Sequence, residues 1–106
     1  MSAKPIVQRS LAHTDVEQAI DHYMATANAA AALGFVEALE SAYTHIALNP
    51  ATGSPRYAHE LNLPGLRTWP LSKYPFLVFY VELEQHIDVW RVLHMSRDIP
   101  HWMNQD

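Results

Sequence analysis

Through the first half of the chain apolar residues recur at steps of three and four, whereas in the last third they alternate or run together, so helices should precede strands. Ile6 to Ala12 is short, β-branched at its start and interrupted by Gln8 and Ser10, which predicts an edge strand with Val7 and Leu11 on one face. Thr14 and Glu17 have capping-box spacing, in which the hydroxyl accepts from a free helical N–H and the carboxylate reaches back, so a helix should begin there. Val16, Ala19, Ile20, Tyr23, Met24 and Ala27 form its apolar stripe, with Asp15, Asp21 and His22 on the other side. The alanine-rich run Thr26 to Leu33 fits one long helix or two. A single helix from Asp15 to Asn49 would be about 50 Å long, too long for a domain of this size to bury on one side. A break with Asn28 as the second cap is therefore expected, giving helices over residues 15–27 and 29–48. The second stripe is Leu33, Val36, Leu39, Tyr43, Ile46 and Ala47, and it stops at Asn49-Pro50 because proline pushes the preceding residue out of the helical region.

Asn49 to Gly65 contains Pro50, Gly53, Pro55, Pro64 and Gly65 and shows no sustained period, so it reads as a surface connection. Leu66 to Leu71, Pro75 to Leu83 and Ile87 to His94 are rich in β-branched and aromatic residues, with Glu84-Gln85 as a tight polar link. They predict an antiparallel meander whose central member, Phe76 to Leu83, is apolar on both faces and buried. Pro70 would remove a ladder bond in mid-sheet, which places the Leu66 strand at an edge or at a bulge. The order is β-α-α-β-β-β: an α+β fold with an N-terminal strand, a helical hairpin on one face of the sheet and a three-stranded meander. Ile20, Met24, Val36, Leu39, Tyr43, Phe79 and Val89 are expected to share its core.

With 106 residues, 49% hydrophobic and 17% charged, residues 1–106 should form a single domain. The absence of cysteine excludes a disulfide scaffold, a thiolate zinc site and a cysteine nucleophile. No apolar run approaches a bilayer span, and Lys4, Pro5, Gln8 and Arg9 interrupt the segment where a signal peptide needs apolar residues. A cytoplasmic protein with no membrane partner is the expectation. Seven Lys+Arg against 11 Asp+Glu give a formal charge of −4, which opposes binding of nucleic acid by charge alone, and no direct sequence-specific DNA binding is expected. Only Lys4 and Arg9 precede Gly53, while Arg56, Arg67, Lys73, Arg91 and Arg97 follow it.

Seven histidines raise the question of a metal, but none is paired at i, i+4 on a helix and no HExxH occurs, so neither metal nor cofactor is expected. Ser96, His94 and Asp98 can be written as a triad, yet no nucleophile elbow or glycine-rich oxyanion loop accompanies them. The segment Arg91 to Pro100 is more informative. Arg91 lies among apolar neighbours on a strand, where an unpaired guanidinium is costly, so it needs either a carboxylate, for which Asp98 is the candidate, or an open groove. Trp102 either packs back onto the sheet or forms part of an interface.

Ala19-Ile20-Asp21-His22-Tyr23, Gly34-Phe35-Val36-Glu37-Ala38-Leu39, Pro64-Gly65-Leu66-Arg67, Tyr74-Pro75-Phe76-Leu77-Val78-Phe79-Tyr80, Arg91-Val92-Leu93-His94 and Arg97-Asp98-Ile99-Pro100 occur in that order. Together they resemble the RelE/ParE toxins of bacterial type II toxin–antitoxin systems, and the ParE branch most. The resemblance implies a toxin neutralised by a cognate antitoxin in a hetero-oligomer, with DNA gyrase as the target and replication blocked. Target-binding candidates, chosen by charge and exposure, are Arg67, Lys73, Arg91, His94, Arg97, Asp98, His101 and Trp102; no catalytic residue is assigned. The RelE branch implies ribosome-dependent mRNA cleavage instead. There, Phe76, with Leu77 beside it, occupies the position where ribonuclease members tend to carry arginine. Arg97 matches a basic position of that branch, and His101 and Trp102 fall near its terminal catalytic His or Tyr. A third class is a non-toxic relative that only binds its antitoxin.

Overall fold

The computed structural model describes residues 3–103. The elements are β1 (Ile6–Gln8), α1 (Ser10–Thr26), α2 (Ala29–Leu48), a 3-10 turn at Pro50–Thr52, α3 (Arg56–Leu61), β2 (Leu66–Pro70), β3 (Phe76–Glu82), β4 (Ile87–His94) and α4 (Ile99–Met103). The sheet order is β1-β4-β3-β2, with β2, β3 and β4 antiparallel and β1 parallel to β4. The α+β class, the hairpin and the meander are therefore as expected, and β2 is an edge strand in which Pro70 stands at the last position.

The N-terminal boundary differs from the expectation. β1 ends at Gln8, where its register with β4 reaches Val89, and the Arg9 N–H donates to the Val89 carbonyl at 2.9 Å. The chain turns there and α1 starts at Ser10, so Leu11 and Ala12 are helical and Thr14 lies inside the helix rather than capping it. Pairing with β4 overrides the local capping signal. Asn28 behaves as predicted: its backbone is extended and its side chain accepts from the Ala31 N–H at 2.8 Å, satisfying one orphan donor of α2. The connection over residues 49–65 holds α3, which at six residues is too short to show a period.

The hairpin covers one face of the sheet, packing Phe35, Leu39, Ala42 and Ile46 against Val78, Tyr80, Ile87, Val89 and Val92. Met24 and Leu33, expected in the core or its stripe, are 53% and 61% exposed. Phe79 belongs to the other face, because strand alternation sends Val78 and Tyr80 toward the hairpin and Phe79 away from it. That second face carries Leu66, Phe79, Leu93, Ile99 and Met103, with Tyr57 and Leu61 of α3 and Trp102 of α4 packed against it.

A bulge lies in β4. Phe79 pairs with Arg91 and Tyr80 with Val89, so Trp90 has no partner in β3. Val89 before it and Val92 after it both face the hairpin, a change of parity that alternation alone forbids. Among the described residues no helix is long and apolar enough to cross a membrane.

Candidate functional site

Arg91 follows the bulge and is 5% exposed. Burying a lone guanidinium would cost several kcal/mol, so the fold must supply a carboxylate. It supplies Asp15 of α1, not Asp98. The Arg91 Nε donates to Asp15 Oδ2 at 2.8 Å, Nη2 to Oδ1 at 2.7 Å, and the Val92 N–H to Oδ2 at 3.0 Å. Because β1 stops at Val89, the edge of β4 beyond it is open, and Asp15 satisfies a strand N–H that has no neighbouring strand. The remaining Arg91 nitrogen, Nη1, donates to the Trp102 carbonyl at 2.8 Å and ties α4 to the sheet. Asp98 is exposed and sits at the start of α4, accepting from the His101 N–H at 3.3 Å through its side chain and from the Trp102 N–H through its carbonyl. A local signal for Asp15 existed: Ala12 and Ala19, three residues before and four after it, are also buried, so all three share the inward face of α1.

Above this pair lies a cleft of about 470 Å³ between α1, the end of β4 and α4, lined by Asp15, Gln18, His22, Phe76, His94, Ser96, Arg97 and Trp102 among others. The turn after β4 is held by His94, whose carbonyl accepts from the Arg97 N–H at 3.0 Å. Its Nδ1 accepts from the Ser96 N–H at 3.0 Å and is 2.7 Å from the Ser96 Oγ. A backbone N–H can only donate, so Nδ1 is the acceptor and the neutral ring carries its hydrogen on Nε2. The ring meets Phe76 edge-on with centroids 5.2 Å apart. Arg97 is exposed and its guanidinium lies 4.4 Å from the centre of the Trp102 ring, which Arg91 also approaches at 5.6 Å.

Of the predicted site residues, His94, Arg97 and Trp102 thus converge on one cleft, with Arg91 beneath it, Asp98 immediately before α4 and His101 within it. Arg67 and Lys73 do not line it. Arg67, on β2, donates to the Gly53 carbonyl at 2.8 Å, and Lys73 stands in the β2–β3 turn with φ of 70°. The Ser96–His94 pair forms, but the third triad member does not join it. Asp15, Gln18 and His22 are lining residues that periodicity had not assigned to a site. Among the described residues no group of three or more His, Asp or Glu could hold a metal ion.

The family model described as the ParE toxin of type II toxin–antitoxin system, parDE, matches residues 6–99. No curated protein matches the chain. Among solved structures it is similar to the chromosomal ParDE TA system from P. aeruginosa, with a TM-score of 0.74 and 20% identity, covering 89% of this chain and 98% of that one. At that identity the likeness is one of fold.

Proposed function

The chain belongs to the ParE toxin family of type II toxin–antitoxin systems, and from that membership we propose that it is a toxin held inactive by a cognate antitoxin and acting by poisoning DNA gyrase. The observation that carries the choice of target is the shortage of cations around the cleft. Metal-independent RNA cleavage requires a base for the 2′-hydroxyl, cations on the scissile phosphate and an acid for the leaving oxygen. Phe76 is buried against Phe35 and the His94 ring, and Leu77 pairs with Leu93, so neither position offers charge. Arg91 is engaged by Asp15. That leaves Arg97 as the cleft's guanidinium without a carboxylate partner among the described residues, enough to anchor a protein contact and too little to stabilise a pentacoordinate phosphate.

A RelE-like endonuclease is the second reading, and the joint presence of His94 and Arg97 in one cleft is what favours it. One preparation of the purified chain separates the two. Incubation with gyrase, DNA and ATP should trap cleavage complexes, while ribosomes programmed with a message should remain uncut. Codon-dependent cuts with unaffected gyrase would transfer the function to the second reading, and a chain inert in both assays and harmless on expression would be a non-toxic relative.

A further inference from the structure

The cleft is rich in donors on a chain whose formal charge is −4. Among the described residues its one acidic lining residue is Asp15, which has both oxygens engaged by Arg91 and the Val92 N–H. Against that stand the Arg97 guanidinium, the Gln18 amide and the His94 ring, whose Nδ1 is occupied by Ser96 so that the ring hydrogen left to offer is on Nε2. Arg97 has no carboxylate within ion-pair distance among the described residues, yet it lies over the face of Trp102 at 4.4 Å. An arginine held on an aromatic plane has already lost part of the rotamer freedom that binding would otherwise remove, so its planar fork is set for a bidentate acceptor.

We infer that this cleft receives an acidic side chain of a protein partner, with an apolar neighbour of that residue lying against Trp102. The inference rests on the reading that this chain works by binding proteins. Charge decides between a carboxylate and a polyphosphate. One guanidinium with no carboxylate partner among the described residues can neutralise a single carboxylate, whereas a nucleic-acid strand presents a phosphate at every nucleotide and is opposed by the net negative charge of the chain. Apolar surface adjoins the cation: Trp102 is half-buried, Phe76 forms the wall, and Met95, next to His94, is 47% exposed.

The test is an NMR titration of the isotopically labelled full chain with N-acetyl-glutamyl-leucine amide, following the Arg97 Nε–H and the three tryptophan indole signals. Saturating shifts should appear at Arg97 and Trp102, with Trp69 and Trp90 unmoved. The glutaminyl analogue on the unaltered chain, and the glutamyl peptide on Arg97→Gln, should each bind about tenfold more weakly or worse, because a charge-assisted bond is lost. The analogue needs no variant, so the result does not hinge on how Arg97→Gln folds. Equal affinity for the two peptides, silence at Arg97 and Trp102, or an oligothymidylate moving those signals at lower concentration than the peptide would overturn the inference. Gyrase poisoning with a silent titration would remove this inference alone, and peptide binding without gyrase poisoning would remove the proposed target alone.

Discussion

Asp15 closes three hydrogen bonds at once, and its side chain and that of Arg91 are each 7% exposed. Removing one partner of such a pair leaves the other charged and buried. Asp15→Ala should therefore cost about 3–5 kcal/mol, read from urea denaturation, and Asp15→Leu combined with Arg91→Met should recover a large part of it. Additive losses in that double variant would contradict the account. Tyr43 sits behind the same region, and its hydroxyl accepts from the Gln8 amide at 2.7 Å. Burial pushes its pKa up to about 12, the Gln8 bond opposes this and the Asp15 charge adds to it. The native state thus holds the proton more tightly than the unfolded chain, whose tyrosines titrate near 10. The stabilising contribution is complete below about pH 10 and is lost as pH rises through about 12. Burial also raises Tyr80 and Tyr23. Stability measured across this range should fall, less steeply in Tyr43→Phe; an unchanged slope would show that Tyr43 is not the group responsible. Periodicity placed Asp15 outside because a carboxylate beside an apolar stripe normally faces water, and only the guanidinium opposite it reverses that rule.

Elements whose signals are local were legible, and those whose limits depend on a neighbour were not. Asn28 caps α2 through a bond three residues away, and proline ends α2 through its own ring. The start of α1, by contrast, is decided by where β1 runs out of partner on β4, and α3 and α4 are too short for any period. Packing between elements also decides what glycine does at position 34. The Tyr74 hydroxyl donates to the Ala31 carbonyl at 2.8 Å, and a Cβ at Gly34 would collide with that hydroxyl. Gly34→Ala should thus destabilise the chain by about 1–3 kcal/mol through overpacking. In a Tyr74→Phe background the collision disappears and the same change should become stabilising by up to about 1 kcal/mol, since alanine favours a helix interior. Thermal unfolding of the four proteins measures both signs, and a Gly34→Ala effect that is the same in either background would refute the contact.

For the whole molecule, the apolar residues left exposed, among them Met24, Leu33 and Met95, are surface that a partner can cover. A cognate antitoxin that binds only the folded chain should add about 2.7 kcal/mol at a concentration a hundredfold above its dissociation constant. Its addition should raise the melting midpoint, and an unchanged midpoint at saturation would argue against such binding. The sequence by itself determined the fold class, the hairpin, the meander and the family resemblance, because periodicity, caps and turns are set by residues near one another along the chain. The tertiary structure alone decided which carboxylate Arg91 meets, since Asp15 lies 76 positions away. It also decided that a bulge at Trp90 turns Val92 toward the hairpin, and that Gln18, His94, Arg97 and Trp102 share one cleft. The ion pair and the cleft both require α1 to lie against the open edge of β4, an arrangement between segments far apart along the chain that periodicity within either segment does not specify.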